Sequence, residues 1–164
     1  MGDGSGSKWD LPVGWGCVLI EKSSVIRKVF YGGLNDGTVN IAELMAYLAP
    51  LTWYLRHCCE ADGHSHLTHP RHVHIITDSS YAQSKGEAKA AVIEARNTVL
   101  WGAFSLFERQ GLRLHWHWVN RETVALNHYV DILSKLARQK FTTGLPVEQM
   151  QAAHGLTAQS CNPD

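Results

Sequence analysis

The chain has 164 residues, 45% of them hydrophobic, and its 15 lysines and arginines are balanced by 15 aspartates and glutamates. This size and composition are typical of one globular domain with its own core, and the zero formal charge means that a polyanionic partner has to be held by a local basic patch. No apolar run has membrane-spanning length, the first residues do not resemble a signal peptide, and the four cysteines lack CxxC spacing, so we expect a reduced, cytoplasmic protein.

The chain is predicted to begin with a β-hairpin. Residues 14–21 and 25–31 have strand composition, and Lys22-Ser23-Ser24 between them suits a turn. The glycine-rich residues 32–37 predict a loop after the second strand.

A helix is expected next, from a cap at Thr38 or Asn40 to about Arg56. Leucines recur there at the spacing of one helical face, which predicts the buried stripe of the helix. They are Leu44, Leu48, Leu51 and Leu55.

A histidine-bearing loop over residues 57–72 leads to a short, β-rich run from Val73 to Thr77. That run predicts a buried strand. Asp78 follows where the strand ends, and a polar, alanine-rich helix is expected over residues 80–91. This order places a carboxylate at the carboxyl end of a central strand, where open α/β sheets carry their chemistry.

Three further elements complete the chain. Residues 98–110 predict an amphipathic helix, residues 112–119 alternate as a strand, and Asn127 is a candidate cap for a last helix through Gln139. An early hairpin followed by alternating helices and strands indicates an α/β fold with a mixed sheet.

Residues 1–141 are therefore predicted to form one domain. Residues 142–164 are predicted to form a loosely ordered tail.

Four acids stand at the functional ends of these elements, namely Asp3, Glu43, Asp78 and Asp131. Converging carboxylates repel each other, so they are stable together only with cations among them or with raised pKa values. Oxygen ligands favour Mg²⁺ or Mn²⁺, and two such ions about 3.5–4 Å apart can promote phosphodiester hydrolysis. The alternative is four unrelated surface acids, because Glu43 and Asp131 would favour helix starts in any protein.

The four acids lie in short motifs, which are Asp3-Gly4-Ser5, Asn40-Ile41-Ala42-Glu43, Thr77-Asp78-Ser79 and Asn127-x-x-x-Asp131, with the aromatic strand Trp116–Val119 before the last one. Together these motifs resemble those of type 1 ribonuclease H. The motifs follow one another in the order of that family over most of the chain. The resemblance implies a ribonuclease H-like mixed sheet flanked by helices.

The same resemblance implies a function and a site. The catalytic, metal-binding set would be Asp3, Glu43, Asp78 and Asp131. The reaction would be two-metal hydrolysis of the RNA strand of an RNA–DNA hybrid, with Mg²⁺, or Mn²⁺ in its place, and with 5′-phosphate products. Contacts to the hybrid are implied for Gly4, Ser5, Asn40, Ser79 and Asn127. Selectivity for RNA would come from the 2′-hydroxyl, and we expect a monomer without a membrane partner.

The chain departs from the family's pattern in two regions beyond the four acids. The loop Asn120–Leu126 has no histidine, and Arg121 or Glu122 lies roughly where many members carry one. The segment Ser84–Arg96 has few uncompensated basic residues, so weaker binding to a hybrid is expected.

A third departure concerns the first strand. In the family this strand is central and precedes the first catalytic aspartate, whereas only Met1 and Gly2 precede Asp3 here. We therefore predict a truncated first strand and a poorly fixed Asp3.

Two other functions are compatible with these residues. A junction resolvase-like nuclease of the same superfold would use similar carboxylates on a different substrate. A non-catalytic hybrid-binding domain is the alternative outside enzymes, and the intact acids argue against it.

Five of the tryptophans and the histidine-bearing segment are not interpreted as binding sites. Five tryptophans at strand or helix spacing are expected in the core rather than as stacking platforms for bases. They are Trp15, Trp53, Trp101, Trp116 and Trp118. The segment His57–His74 matches no standard ligand spacing, so a structural zinc site is not expected there.

Overall fold

A computed structural model describes residues 1–6, 11–21, 27–59, 71–87 and 97–144. The predicted turn at residues 22–24, most of the histidine-bearing loop and most of the predicted tail lie outside these described residues. The elements are β1 (Gly2–Ser5), β2 (Leu11–Ile20), β3 (Arg27–Gly37), α1 (Val39–Tyr54), a π-helical turn (Leu55–Cys59), β4 (Arg71–Thr77), α2 (Ser80–Glu87), α3 (Thr98–Arg109), β5 (Leu112–Trp118) and α4 (Ala125–Thr143).

The strands form two hydrogen-bonded sheets. β2 lies between β1 and β3 and is antiparallel to both, whereas β4 and β5 pair in parallel. β1 and β4 lie beside each other without joining the two sheets through a ladder of hydrogen bonds in the described residues. The predicted mixed α/β architecture is confirmed, but the sheet is divided between β1 and β4.

Helix α1 starts at the predicted place and buries the predicted face. The Thr38 hydroxyl oxygen accepts a hydrogen bond from the backbone N–H of Ile41 at 3.3 Å, which caps the first turn. Leu44, Leu48 and Leu51 pack with side chains of β4, β5 and α3 in one core cluster. The other core cluster lies where α4 covers β2, with side chains that include Val18, Tyr129, Val130, Leu133 and Leu136.

The predicted loop over residues 32–37 is wrong, because β3 continues to Gly37. These glycines are needed inside the strand. A Cβ atom on Gly32 would overlap the Trp15 indole of β2, and one on Gly33 would overlap the Phe141 ring of α4. Glycine therefore makes room for aromatic packing here instead of breaking the strand.

The predicted cap of the last helix is also wrong. α4 begins at Ala125 after Val124, and Asn127 lies inside its first turn. The Asn127 side-chain amide donates to Asp78 and to the Arg121 carbonyl instead of capping its own helix. Among the described helices, none is long and apolar enough to span a membrane.

β1 is short, as predicted, but Asp3 lies within it rather than after it. Met1 extends the antiparallel pairing through two backbone hydrogen bonds with Val18, at 2.9 and 2.8 Å. Beside Met1 lies a cavity of about 450 Å³ that is lined by Leu19–Glu21, at the end of β2, and by Arg71–His74 of β4. This cavity continues the line of β1.

An engineered extension of four apolar, β-branched residues before Met1 should fill this cavity. If the extension continues the register of β1, its three residues nearest Met1 would pair with Leu19–Glu21. Its side chains would then be buried against Leu51 and Tyr54, which line the cavity. A net gain of about 1–2 kcal/mol after ordering costs corresponds to a rise of roughly 2–8 °C in Tm. Thermal denaturation beside a Gly-Ser-Gly-Ser extension checks this, and equal Tm values for both extensions would contradict it.

Candidate active site

Asp3 and Glu43 are brought together by the close packing of β1 on α1. Asp3 is opposite Gly16 of β2, and only 1% of its surface is exposed. A Cβ atom on Gly4 would overlap the α1 backbone at Glu43, so the glycine permits this approach. The backbone N–H of Gly4 donates a hydrogen bond to the Glu43 carboxylate, which aims the carboxylate at β1.

Asp78 lies in the sharp turn between β4 and α2. The Ser79 N–H donates to the Thr77 hydroxyl at 3.0 Å, and the Ser79 hydroxyl accepts from the N–H of Ala82 at 3.3 Å, capping α2. The Asp78 Oδ2 atom accepts from the Asn127 amide at 3.0 Å. The strand end and the helix cap therefore fix the direction of this carboxylate.

The three carboxylates of Asp3, Glu43 and Asp78 each offer an oxygen, and these oxygens lie within 4.8 Å of one another. We call this group the acidic trio. Burial, then the charges of Asp78 and Asp131, raise the pKa of Asp3 to about 7. Burial, then the charges of Asp3 and Asp78, raise the pKa of Glu43 to about 9. The trio is thus a site of concentrated negative charge whose ionisation is opposed by its surroundings.

These residues fit a divalent cation. The Glu43 Oε2 atom is buried and has no hydrogen-bond partner among the described residues, and a buried acceptor in that state is costly unless something pairs with it. Carboxylate oxygens are the ligands that Mg²⁺ and Mn²⁺ prefer. A cation would pair with Oε2 and lower the repulsion among the three acids.

Asp131, the fourth predicted ligand, lies outside the acidic trio. Its carboxylate is 2.6 Å from the Lys135 ammonium, one turn along α4. Its charge still raises the pKa of Asp3. The Ser134 hydroxyl, also on α4, donates to Asp3 Oδ2 at 3.1 Å, and its burial makes this helix a support for Asp3.

The predicted substrate contacts lie in different settings. Asn40 is exposed in the first turn of α1, and Ser5 is half-buried at the end of β1. Gly4 and Asn127 are buried. Gly4 contacts Glu43, and Asn127 contacts Asp78. Their roles toward a substrate stay predictions, as does the role of Ser79, which caps α2.

Arg121 is the main residue of this site that sequence reasoning did not assign. Its Nε atom donates to Asp78 Oδ2 at 2.7 Å, and its Nη2 atom lies 3.5 Å from Asp3 Oδ1. The charge of Arg121 lowers the pKa of Asp3 and of Glu43 against the larger effect of burial. The available signal was its place in the loop, where a histidine was expected.

Trp118 was wrongly assigned to the core. Its side chain is 49% exposed, and its indole Nε1 donates to the Asp78 carbonyl at 3.0 Å. Trp116, two residues earlier, packs against Tyr47, Trp101 and Phe104 as predicted. Strand alternation puts both indoles on the same face. Trp118 is the last residue of β5, however, and its indole lies beside Asp78 instead of in the core.

Comparison with known proteins gives structural matches alone. No model of a protein family matches the sequence, and no curated protein matches it. The structure resembles the N-terminal RNase H domain of a Mycobacterium tuberculosis protein, with TM-score 0.67, 18% identity and coverage of 87% of this chain and 94% of that one.

Two other matches are type 1 enzymes. LC11-RNase H1, in a complex with an RNA/DNA hybrid, has TM-score 0.67 and 17% identity over 87% of this chain and 96% of that one. RNase H1 of the archaeon Halobacterium salinarum has TM-score 0.57 and 19% identity over 83% and 92%. The chain therefore has the type 1 ribonuclease H fold, as its motifs predicted.

The raised pKa values predict that stability without divalent cations falls as pH rises. Asp3 and Glu43 bind protons more tightly in the folded protein than in the unfolded chain, whose carboxyls titrate near pH 4. Their contribution is therefore fully present below about pH 4 and is lost as pH rises through about 7 for Asp3 and about 9 for Glu43.

The Glu43→Gln variant isolates part of this effect. In EDTA, the Tm of the parent minus the Tm of Glu43→Gln should become more negative between about pH 5 and pH 9, because only the parent has to ionise the buried carboxyl. An Asp36→Asn variant, at an exposed acid of β3, serves as the control and should show a constant difference. A Glu43→Gln difference that is equally constant would contradict the pKa assignment.

Arg121 should compete with cations for the acidic trio. The Arg121→Gln variant is expected to bind Mn²⁺ or Mg²⁺ roughly three- to tenfold more tightly, since a cation near the carboxylates is removed but was partly screened by solvent. Isothermal titration calorimetry without nucleic acid measures this, with Arg113→Gln on β5 as the control. Unchanged or weaker binding by Arg121→Gln would refute competition.

Proposed function

We propose that the protein is a metal-dependent endonuclease that hydrolyses the RNA strand of RNA–DNA hybrids with two metal ions. The observation that carries the proposal is the acidic trio, with oxygens within 4.8 Å of one another at the end of β4. The type 1 ribonuclease H fold supports it, and LC11-RNase H1, which shares the fold, forms a complex with an RNA/DNA hybrid.

Each carboxylate of the site is oriented by a hydrogen-bond donor from an element other than its own. The Gly4 N–H holds Glu43, the Asn127 amide holds Asp78, and the Ser134 hydroxyl holds Asp3. Held in this way, the carboxylates need little reorganisation when charge develops at a phosphate. Divalent cations bound to them, Mg²⁺ or Mn²⁺, would supply a lowered pKa for the attacking water and stabilisation of the leaving oxygen.

Arg121 supports the proposal in a second way. Its side chain is 61% exposed while its guanidinium bonds Asp78, so it can reach solvent and a phosphate without a large rearrangement. A planar guanidinium suits the oxygens of a phosphate group. We infer that it leaves the trio when cations bind and then contacts the scissile strand.

The substrate surface proposed around the trio combines a helix start with exposed side chains. Asn40 is exposed in the first turn of α1, close in sequence to Glu43, and the amino end of a helix attracts phosphate. Trp118 offers an exposed indole beside Asp78, which suits stacking on a sugar or a base. Discrimination of RNA from DNA would rest on hydrogen bonds to the 2′-hydroxyl.

Cleavage of a panel of substrates tests the reaction class. An RNA–DNA hybrid should be cut in Mg²⁺ and left intact in EDTA, while double-stranded RNA, double-stranded DNA and a Holliday junction should be cut far more slowly. Preferred cutting of the junction would favour a resolvase-like nuclease. Binding of the hybrid without any cutting would favour a non-catalytic hybrid-binding domain.

The Asp78→Asn variant should abolish hybrid cleavage and leave the fold intact. The change keeps the shape of the side chain but removes a negative charge from the acidic trio, and losing a metal ligand costs several kcal/mol, or a rate loss of at least about a hundredfold. Initial rates give the loss, and circular dichroism confirms folding. Asp36→Asn, which removes an exposed acid, should retain the parent rate. A folded Asp78→Asn protein with more than about a tenth of that rate would refute the site.

A further inference from the structure

Four histidines lie on one face of the parallel pair β4 and β5. His72 and His74 alternate on β4, His115 and His117 alternate on β5, and His74 is opposite His115 in the register. Alternation in strands puts these side chains on the same face of the sheet. Three of the four are exposed and His115 is half-buried, so the cluster faces solvent.

The imidazoles form two cross-strand pairs with the same geometry. The Nδ1 atom of His72 lies 2.8 Å from the Nε2 atom of His115, and the Nδ1 atom of His74 lies 2.8 Å from the Nε2 atom of His117. The ring planes within the pairs differ by 14° and 21°. The His74 and His115 rings are 4.9 Å apart, centroid to centroid, so the two pairs adjoin.

We propose that this histidine cluster is an exchangeable site for a borderline transition-metal ion such as Zn²⁺, Ni²⁺ or Cu²⁺. Bonds of about 2.0–2.1 Å from zinc to two imidazole nitrogens require those nitrogens to be about 2.9–3.4 Å apart for angles between 90° and tetrahedral. Each pair already holds its nitrogens 2.8 Å apart. Opening by at most roughly 0.6 Å and a tilt of the rings would turn a hydrogen-bonded pair into a chelate, with water on the remaining positions.

Binding needs no loss of protons from a neutral pair. In each pair one ring nitrogen carries a hydrogen and the other accepts it. The donor ring can carry its proton on the nitrogen that faces away, which frees both facing lone pairs for the metal. A protonated imidazole has no lone pair to offer, so binding weakens in acid.

The His74–His117 pair should be the stronger of the two. Arg113 is opposite His72 in the register and alternates with His115 and His117 on β5, so its guanidinium shares this face near the other pair. A fixed positive charge disfavours a bound cation. His74 and His117 lie one alternation further from Arg113 along the strands.

The cluster and the acidic trio should select different ions. Imidazole nitrogens favour zinc, nickel and copper, whereas carboxylate oxygens favour magnesium and manganese. A metal bound by His74 and His117 would also link β4 to β5, the strands that end at Asp78 and Trp118. This link stabilises the folded protein by an amount that grows with the logarithm of the free metal concentration above the Kd.

Zinc binding to the untagged protein in excess Mg²⁺ tests the proposal. Equilibrium dialysis and the Zn²⁺-dependent rise in Tm should both show binding, and the double variant His74→Gln with His117→Gln should bind at least tenfold more weakly. The matched controls are His128→Gln, at an exposed histidine of α4, and a triple variant of His64, His66 and His69 to Gln, outside the described residues. Both controls should bind as the parent does.

Two further measurements on the double variant distinguish loss of the metal site from a folding defect and from loss of the proposed nuclease activity. The Tm of the double variant in EDTA and its Mg²⁺-dependent hybrid cleavage should stay within the range of the controls. No zinc binding by the parent at 100 µM Zn²⁺, or loss of binding in the triple variant with retention in the double variant, would overturn the proposal.

Discussion

Three carboxylates that repel one another have to share a nearly water-free site, and much of the structure follows from this constraint. Asp3 and Glu43 are 1% and 5% exposed, so solvent does little to separate their charges from Asp78. The protein opposes the repulsion with hydrogen-bond donors from four places: the Gly4 N–H, Ser134, Asn127 and Arg121. The remaining cost appears as raised pKa values and an unpaired Glu43 oxygen. A divalent cation would offset this cost, because carboxylate oxygens are its preferred ligands.

Small residues let the supporting helices reach this site. A Cβ atom on Gly4 would overlap the backbone of α1, and one on Gly14 would overlap the backbone of α4 at Ser134 and Arg138. β1 and β2 are therefore packed closely from both sides, which brings Glu43 of α1 and Ser134 of α4 to Asp3. β1 and β4 form no ladder of hydrogen bonds with each other in the described residues. Asp3 is therefore supported through β2 and the helices rather than through pairing with β4.

The two faces of β4 and β5 serve different purposes. Val73, Ile75, Leu112, Leu114 and Trp116 pack into the core with α1 and α3, while the histidine cluster points to solvent. The strands end at Asp78 and Trp118, and the hydrogen bond from the Trp118 indole to the Asp78 carbonyl joins their ends. The parallel pair thus combines a core face, an end beside the acidic trio and a solvent face rich in imidazole in two strands of seven residues each.

The sequence by itself determined the elements whose signal is local. The leucine spacing of α1, the Thr38 cap, the strand before Asp78 and the alternation of residues 112–118 follow from periodicity and capping, and the motif order indicated the fold. Tertiary structure decided what depends on distant residues. Gly32 and Gly33 are in a strand because Trp15 and Phe141 occupy the space of their side chains. Asn127 lies within a helix because its amide meets Asp78. Arg121 is in the site because a charge 43 residues away attracts it, and no local pattern reports such a pair.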